Sequence, residues 1–91
     1  RKWGNRGSGD GELSQPQSLT IDTEGKIYVS EYGNDRIQVF DLEGRFLRMW
    51  GVLGSGDGEL SQPQGIAIDS EGDVYVSDCW NNRIQVFKST V

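Results

Sequence analysis

The sequence contains no histidine and a single cysteine, Cys79, among its 91 residues. The first absence removes imidazole acid–base catalysis and histidine metal ligation. The second excludes an intrachain disulfide and a cysteine-rich zinc site. Proline is scarce, at two residues, while glycine reaches 13. That pairing points to many tight turns, not to a proline-rich disordered segment. No apolar run approaches the ~20 residues of a membrane span. No targeting segment is visible, so the expectation is a soluble chain of unassigned compartment. Bases are outnumbered nine to 14, for a net charge of −5. The imbalance argues against nucleic acid and against an anionic membrane, which are met mainly by Lys and Arg. Hydrophobic residues make up 34% of the chain, and a chain this short buries a modest core.

What the sequence does have is a duplication. GSGDGELSQPQ stands at Gly7–Gln17 and again at Gly54–Gln64, an offset of 47 residues. The same offset carries Trp3-Gly4 onto Trp50-Gly51, Tyr28-Val29-Ser30 onto Tyr75-Val76-Ser77, and Arg36–Phe40 onto Arg83–Phe87. Between Trp3–Gly44 and Trp50–Val91, 26 of the 42 aligned pairs are identical. Self-similarity at this period marks a repeat architecture.

Each unit holds short apolar runs of strand-type residues between turn signals. The runs predict strands near Leu19–Asp22, Lys26–Ser30, Arg36–Phe40 and Phe46–Trp50, then Ile66–Asp69, Val74–Ser77 and Arg83–Phe87. The Glu-Gly and Asn/Asp-rich links between them suit antiparallel hairpins. No segment carries a helical apolar stripe, so the fold class is all-β. Four antiparallel strands repeating every ~40–50 residues is the pattern of a propeller blade.

The residues then carry a specific resemblance. Gln62–Asp78 followed by Asn81–Phe87 resembles the NHL repeat, and Gln15–Phe40 matches the same pattern. The first copy departs from it at Ser18, where the family prefers Gly, and carries Tyr32 in the variable loop. The WD40 signature is absent. The resemblance implies two four-stranded antiparallel blades of an NHL-like β-propeller, a fold commonly built of six blades. Two blades leave two apolar faces uncovered, so closure by oligomerisation is expected. The expected division is residues 1–4 as an outer strand completing the last blade of a neighbouring chain, 5–51 as the first repeat, and 52–91 as a second repeat lacking its own outer strand. Arg1, Lys2 and Trp3 would then meet Arg83, Ile84, Gln85, Val86 and Phe87 of another copy at an oligomer seam. Three chains make six blades and four make eight; the trimer is the expectation. Ile21, Val29, Ile37, Val39, Ile68, Val76, Ile84 and Val86 are expected in the interior between blades.

In a propeller the loops after the second and fourth strands share one face, here Glu31–Asp35, Asp78–Asn82, Asn5–Ser14 and Val52–Ser61, and the candidate binding residues on it are Tyr32, Asp35, Arg36, Cys79, Trp80, Asn82 and Arg83. Tyr32-Gly33 becomes Cys79-Trp80 between otherwise similar repeats, and aromatic residues are enriched where surfaces bind. The plainer alternative is local packing of Trp80 on a neighbouring blade. Arg36 and Arg83 would either ring a central channel or pair with Glu31, Asp78 and loop carbonyls, and the pairing is favoured. The Gly7–Glu12 and Gly54–Glu59 loops lack the ending of a phosphate loop and the spacing of an EF-hand. No metal, cofactor or catalytic residue is assigned: no His exists to activate Ser30 or Ser77, and Asp78 disfavours a Cys79 thiolate. The NHL-like lyases use metal and His-rich sites that this chain lacks.

The resemblance implies a non-enzymatic scaffold that binds itself and a protein ligand. Repeats so near the family pattern also fit a designed, reconstructed or excised piece. RNA binding, as in NHL domains of tripartite-motif proteins, is the alternative that the net charge disfavours.

Overall fold

The computed structural model describes residues 2–88, which form nine β-strands and one 3₁₀ turn. In chain order the strands are β1 (Asn5–Arg6), β2 (Glu12–Leu13), β3 (Pro16–Ile21), β4 (Ile27–Glu31), β5 (Arg36–Phe40), β6 (Phe46–Trp50), β7 (Pro63–Ile68), β8 (Val74–Asp78) and β9 (Arg83–Phe87). Cys79–Asn81 makes the 3₁₀ turn between β8 and β9. The order β3-β4-β5-β6 gives one antiparallel four-stranded sheet, and β7-β8-β9 an antiparallel three-stranded one. The all-β, antiparallel expectation holds, and β5, β6 and β9 have the expected bounds.

The hairpin turns explain themselves from five residues. In Asp22–Lys26, Asp41–Arg45 and Asp69–Asp73 the leading carboxylate accepts N–H bonds from residues two and four further on, at 2.9–3.0 Å. An aspartate that holds its own turn in this way competes with strand extension and stops it. The fourth residue is Gly25, Gly44 or Gly72, at φ between +85° and +88°, a conformation that costs a side chain about 1–2 kcal/mol.

The inner strands β3 and β7 begin three residues earlier than the apolar runs predict. Their first residues are Pro16 and Pro63, and proline is tolerated at the first position of a strand. A register shift follows each proline. Gln15 and Gln62 just before them sit at φ +50° and +53°. The two-residue pairing of β1 with β2, and the Leu53–Leu60 bridge at the repeat-equivalent place, lie within the glycine-rich loops. Sequence patterning gave no sign of them, since two paired residues carry no periodicity.

The sheets pack face to face. Tyr28, Ile37 and Val39 of the first sheet meet Leu60, Ile66, Val74 and Val76 of the second unit, with Trp50, Ile68 and Phe87 packed around them. The Ser30 hydroxyl donates to the Gln64 carbonyl across the same interface at 3.1 Å. Of the residues expected inside, Val29, Ile37, Val39 and Val76 are buried and Ile68 is partly so. Ile21, Ile84 and Val86 are not: they are 53%, 63% and 47% exposed. The reason is their side of the stack. Ile21 lies on the face of the first sheet that points away from the second, while Ile84 and Val86 lie on the far face of the second.

Candidate functional site

The loops after the second strands are held by a carboxylate that gathers donors. Glu31, wholly buried at the end of β4, receives Arg36 Nε and Gln38 Nε2 at 2.7 Å, Asn34 Nδ2 at 2.7 Å and the Ser14 N–H at 3.1 Å. Arg36 spends its remaining N–H groups on the carbonyls of Ser8, Gly9 and Glu12. Asn34 also donates to the Gly7 carbonyl. The glycine-rich loop is thereby tied to the loop after β4, so both lie on one face of the fold.

The second unit repeats the device with a shorter acid. Asp78 accepts from Arg83 Nε at 2.7 Å, Asn81 Nδ2 at 3.0 Å, Gln85 Nε2 at 3.3 Å and the Ser61 N–H at 2.7 Å. Arg83 then reaches the carbonyls of Ser55, Gly56 and Glu59. Burial works to raise the Asp78 pKa, but the bonds from Asn81, Ser61 and Arg83 outweigh it and hold the carboxyl below its ordinary range. The pairing of both arginines with Glu31 and Asp78 is thus present. Arg36 is buried and does not belong to the exposed binding face on which the sequence placed it.

Of the remaining face residues, Tyr32, Asp35 and Trp80 share one groove between the two units. Gln15, Tyr32, Gly33 and Asp35 form one wall and Leu53, Ser61, Gln62 and Trp80 the other, around ≈ 320 Å³. Asp35, in the left-handed region at φ +55°, accepts the Gln62 N–H at 2.8 Å and so ties the walls together. The Tyr32 N–H donates to the Gln15 carbonyl and the Trp80 N–H to the Ser61 carbonyl, and the latter bond repeats that of Gly33 to Ser14, so Trp80 stands one position further along its loop than Tyr32 does. Trp80 is 65% exposed. Cys79 and Asn82 are exposed, and neither lines the groove. Leu53 and Ser61 belong to the glycine-rich loop expected on this face, whereas Gln15 and Gln62, which directly precede the prolines of β3 and β7, were missed in the sequence.

Of the residues expected at a seam, Trp3, Ile84 and Val86 are exposed and Arg83, Gln85 and Phe87 are half-buried. Trp3 stands on the Phe40 ring with centroids 4.8 Å apart, and Trp50 on Phe87 at 5.3 Å, the same relation one repeat later. Lys2 is exposed, and Arg1 lies outside the described residues. β5 and β9 have the same sequence, yet every residue of β5 is buried, while β9 alternates half-buried with exposed. Two things differ: β6 pairs with β5 through Ile37–Trp50, Gln38–Met49 and Val39–Arg48, and the second unit packs against Ile37 and Val39. β9 has no such partner strand among the described residues.

Comparison with known proteins agrees with this architecture. The NHL repeat family matches twice, at residues 13–40 and 60–87. The chain is 42% identical over 45 residues to protein lin-41 of Caenorhabditis elegans, which covers 50% of this chain and 4% of that protein. It is 45% identical over 38 residues to human NHL repeat-containing protein 3, covering 42% and 11%. The chain therefore spans only a small part of the relatives it matches. Among solved structures, virginiamycin B lyase from Staphylococcus aureus superposes with a TM-score of 0.57 at 16% identity, over 86% of this chain and 28% of the lyase. That likeness concerns the fold. Two matched repeats, each folded into an antiparallel blade, cover well over half of the sequence, and the chain belongs to the NHL repeat family.

Proposed function

We propose that the chain is a non-enzymatic interaction scaffold, a pair of blades that packs head to tail on further copies of itself and presents its loop face to a protein partner. One observation carries the reading. Each open face is the repeat copy of a face already buried inside the chain. Tyr75, Ile84 and Val86 are exposed and correspond to Tyr28, Ile37 and Val39, which are buried against the second unit. Leu19 and Ile21, exposed on the opposite side, correspond to Ile66 and Ile68, which receive that face. A surface that fits its complement within one chain fits the same complement in another. Such a heterologous contact must close into a ring or grow into a fibre.

Six blades from three chains is the proposed ring, the homotrimer, with eight from four as the alternative. At its seam, the register of β5 with β6 would set Trp3 of one chain opposite Ile84 of the next and Lys2 opposite Gln85. A slot of ≈ 500 Å³ lies between Arg48, Met49, Trp50, Val86 and Phe87, beside the unpaired edge. Phe46 covers Gly11 in the first unit, whereas the space above Gly58 is open in the second, as an absent outer strand would leave it. The test is cross-linking at that register. With Cys79 changed to Ser, Lys2→Cys and Gln85→Cys together should give disulfide-linked dimers and trimers on oxidation. Each single variant should give no ladder. Exclusively monomeric product from the pair would overturn the seam.

A binding role in place of catalysis rests on the chemistry of the face. Its arginines are engaged by Glu31 and Asp78, and its groove combines two aromatics with one carboxylate. RNA is the disfavoured ligand because the net charge is −5 and RNA affinity draws on basic residues.

A further inference from the structure

We propose that the groove between Tyr32 and Trp80 binds a cationic side chain, the guanidinium or ammonium group of a basic protein segment, at one site per chain. This deepens the scaffold reading by naming the partner's chemistry; it does not depend on ring closure, since both walls belong to the same chain.

Four features of the groove select a cation. First, Asp35 is the one charged residue among those lining it. Second, the arginines that flank it in sequence are turned away: Arg36 and Arg83 are bound to Glu31 and Asp78 and to loop carbonyls. Third, an aromatic ring stands on each wall, and a cation within ~6 Å of a ring centroid is attracted by its π face. Fourth, the Gln62 Oε1 is buried and has no hydrogen-bond partner. A buried acceptor left unpaired costs about 1–3 kcal/mol. Gln62 lines the groove, and a turn of its side chain that brings Oε1 to the surface would let a ligand's N–H donor satisfy it, whereas an anion would add another acceptor. The ligand must also be elongated and partly apolar, since Leu53 lines the groove beside the rings. Lysine and arginine side chains, with their methylene stems, meet that description.

The duplication shows that this is not a by-product of the blade. The two repeats share 26 of 42 aligned residues, and the differences include positions that make the groove. Asp35 is replaced by Asn82, Gly33 by Trp80, and Arg6 by Leu53. A groove formed between the second unit and another copy's first unit would combine Cys79, Trp80 and Asn82 with Gly33 and Arg6 in the places of Tyr32, Gly33, Asp35, Trp80 and Leu53. It would lose the carboxylate and one aromatic, and gain a positive charge. Only the groove within the chain has the cation-binding set, which fixes the stoichiometry at one.

The experiment is a heteronuclear NMR titration of the intact chain, following the Trp80 indole N–H. The probes are glycine-flanked tripeptides carrying arginine, lysine or the neutral arginine isostere citrulline. Saturable shifts are expected for arginine or lysine, at one site per chain and weakening as salt is raised. Asp35→Asn, which installs the residue found at the equivalent position of the second repeat, should weaken binding at least fivefold. Trp80→Ala should do the same. Glu71→Gln, an equal change in net charge on a turn remote from the groove, should leave the affinity within twofold. The proposal is overturned if no cationic probe saturates, if citrulline binds as tightly as arginine, or if E71Q weakens binding as much as D35N. It is overturned as well if a single-stranded RNA decamer shifts the same indole and D35N tightens that binding.

Discussion

Ile37 and Ile84 hold the same place in two identical strands, yet Ile37 is wholly buried and Ile84 is 63% exposed. Local sequence is the same for both, from the preceding arginine to the closing phenylalanine. What separates them is that Ile37 has β6 beside it and the second unit packed on its face, and Ile84 has neither among the described residues. The pair therefore measures what association would supply to the second unit.

That difference predicts two outcomes for one kind of substitution. Val39→Asp places a charge in the packed interface between units, where an unpaired charge costs several kcal/mol, and should abolish the cooperative melt seen by circular dichroism. Val86→Asp places the same charge on an exposed face. It should leave β-structure intact while removing association. Equal loss of fold in both would show that the Val86 face contributes to the core of the single chain.

The Glu31 hub makes a second prediction. Glu31→Gln removes the charge that meets Arg36, whose side chain is nearly as buried as its own. Removing one partner of a buried pair costs about 3–5 kcal/mol because the other charge is left uncompensated. The midpoint of urea unfolding should fall accordingly. Asp78→Asn should cost less, since Arg83 is partly exposed and solvent can take up its charge.

The acid limb of stability follows from the aspartates. Asp78, Asp41 and Asp69 are all held below the ordinary carboxyl range. Asp41 is held there chiefly by its hydrogen bond from Arg45, and Asp69 by turn N–H bonds and Tyr75 that outweigh its desolvation. A lowered folded pKa contributes stability that is present above the unfolded value and lost as pH falls through the folded one. The melting temperature should hold steady above about pH 5 and fall below about pH 4, the unfolded carboxyl range. Asp78→Asn should make that fall shallower; an unchanged slope would remove Asp78 from the cause.

Much of the blade was legible in the sequence because its signals are local. Apolar alternation marked β5, β6 and β9, and the Asp-x-Glu-Gly turns marked where strands reverse. The pairing of Arg36 with Glu31 and of Arg83 with Asp78 was legible from their recurrence at one spacing. The groove was legible only by half. Tyr32, Asp35 and Trp80 stand where the repeats differ and Leu53 lies in a loop expected on the same face, but Gln15 and Gln62 join them through the packing of one unit on the other, which no local pattern encodes. The exposure of Ile21, Ile84 and Val86 was missed for a related reason: period-two alternation tells that a residue faces a neighbour, not whether the neighbour belongs to the same chain.

Truncation tests the role given to Trp3. Deleting Lys2–Gly4 together with Arg1 removes the ring that stands on Phe40 and the strand proposed to pair with β9. The β9 edge would stay unpaired, and exposed edges invite irregular pairing. The truncated chain should sediment as monomer or aggregate while keeping a β-type far-UV spectrum. An undiminished discrete oligomer would assign the seam to other residues.

The mass of the purified chain in solution, by sedimentation equilibrium over a range of concentrations, tests head-to-tail closure most directly. The account predicts a discrete species of three times the 10.1 kDa chain mass. A species of four chains would replace six blades by eight. A stable monomer at 10.1 kDa across the range would contradict the proposal that the open faces of the two blades cover one another.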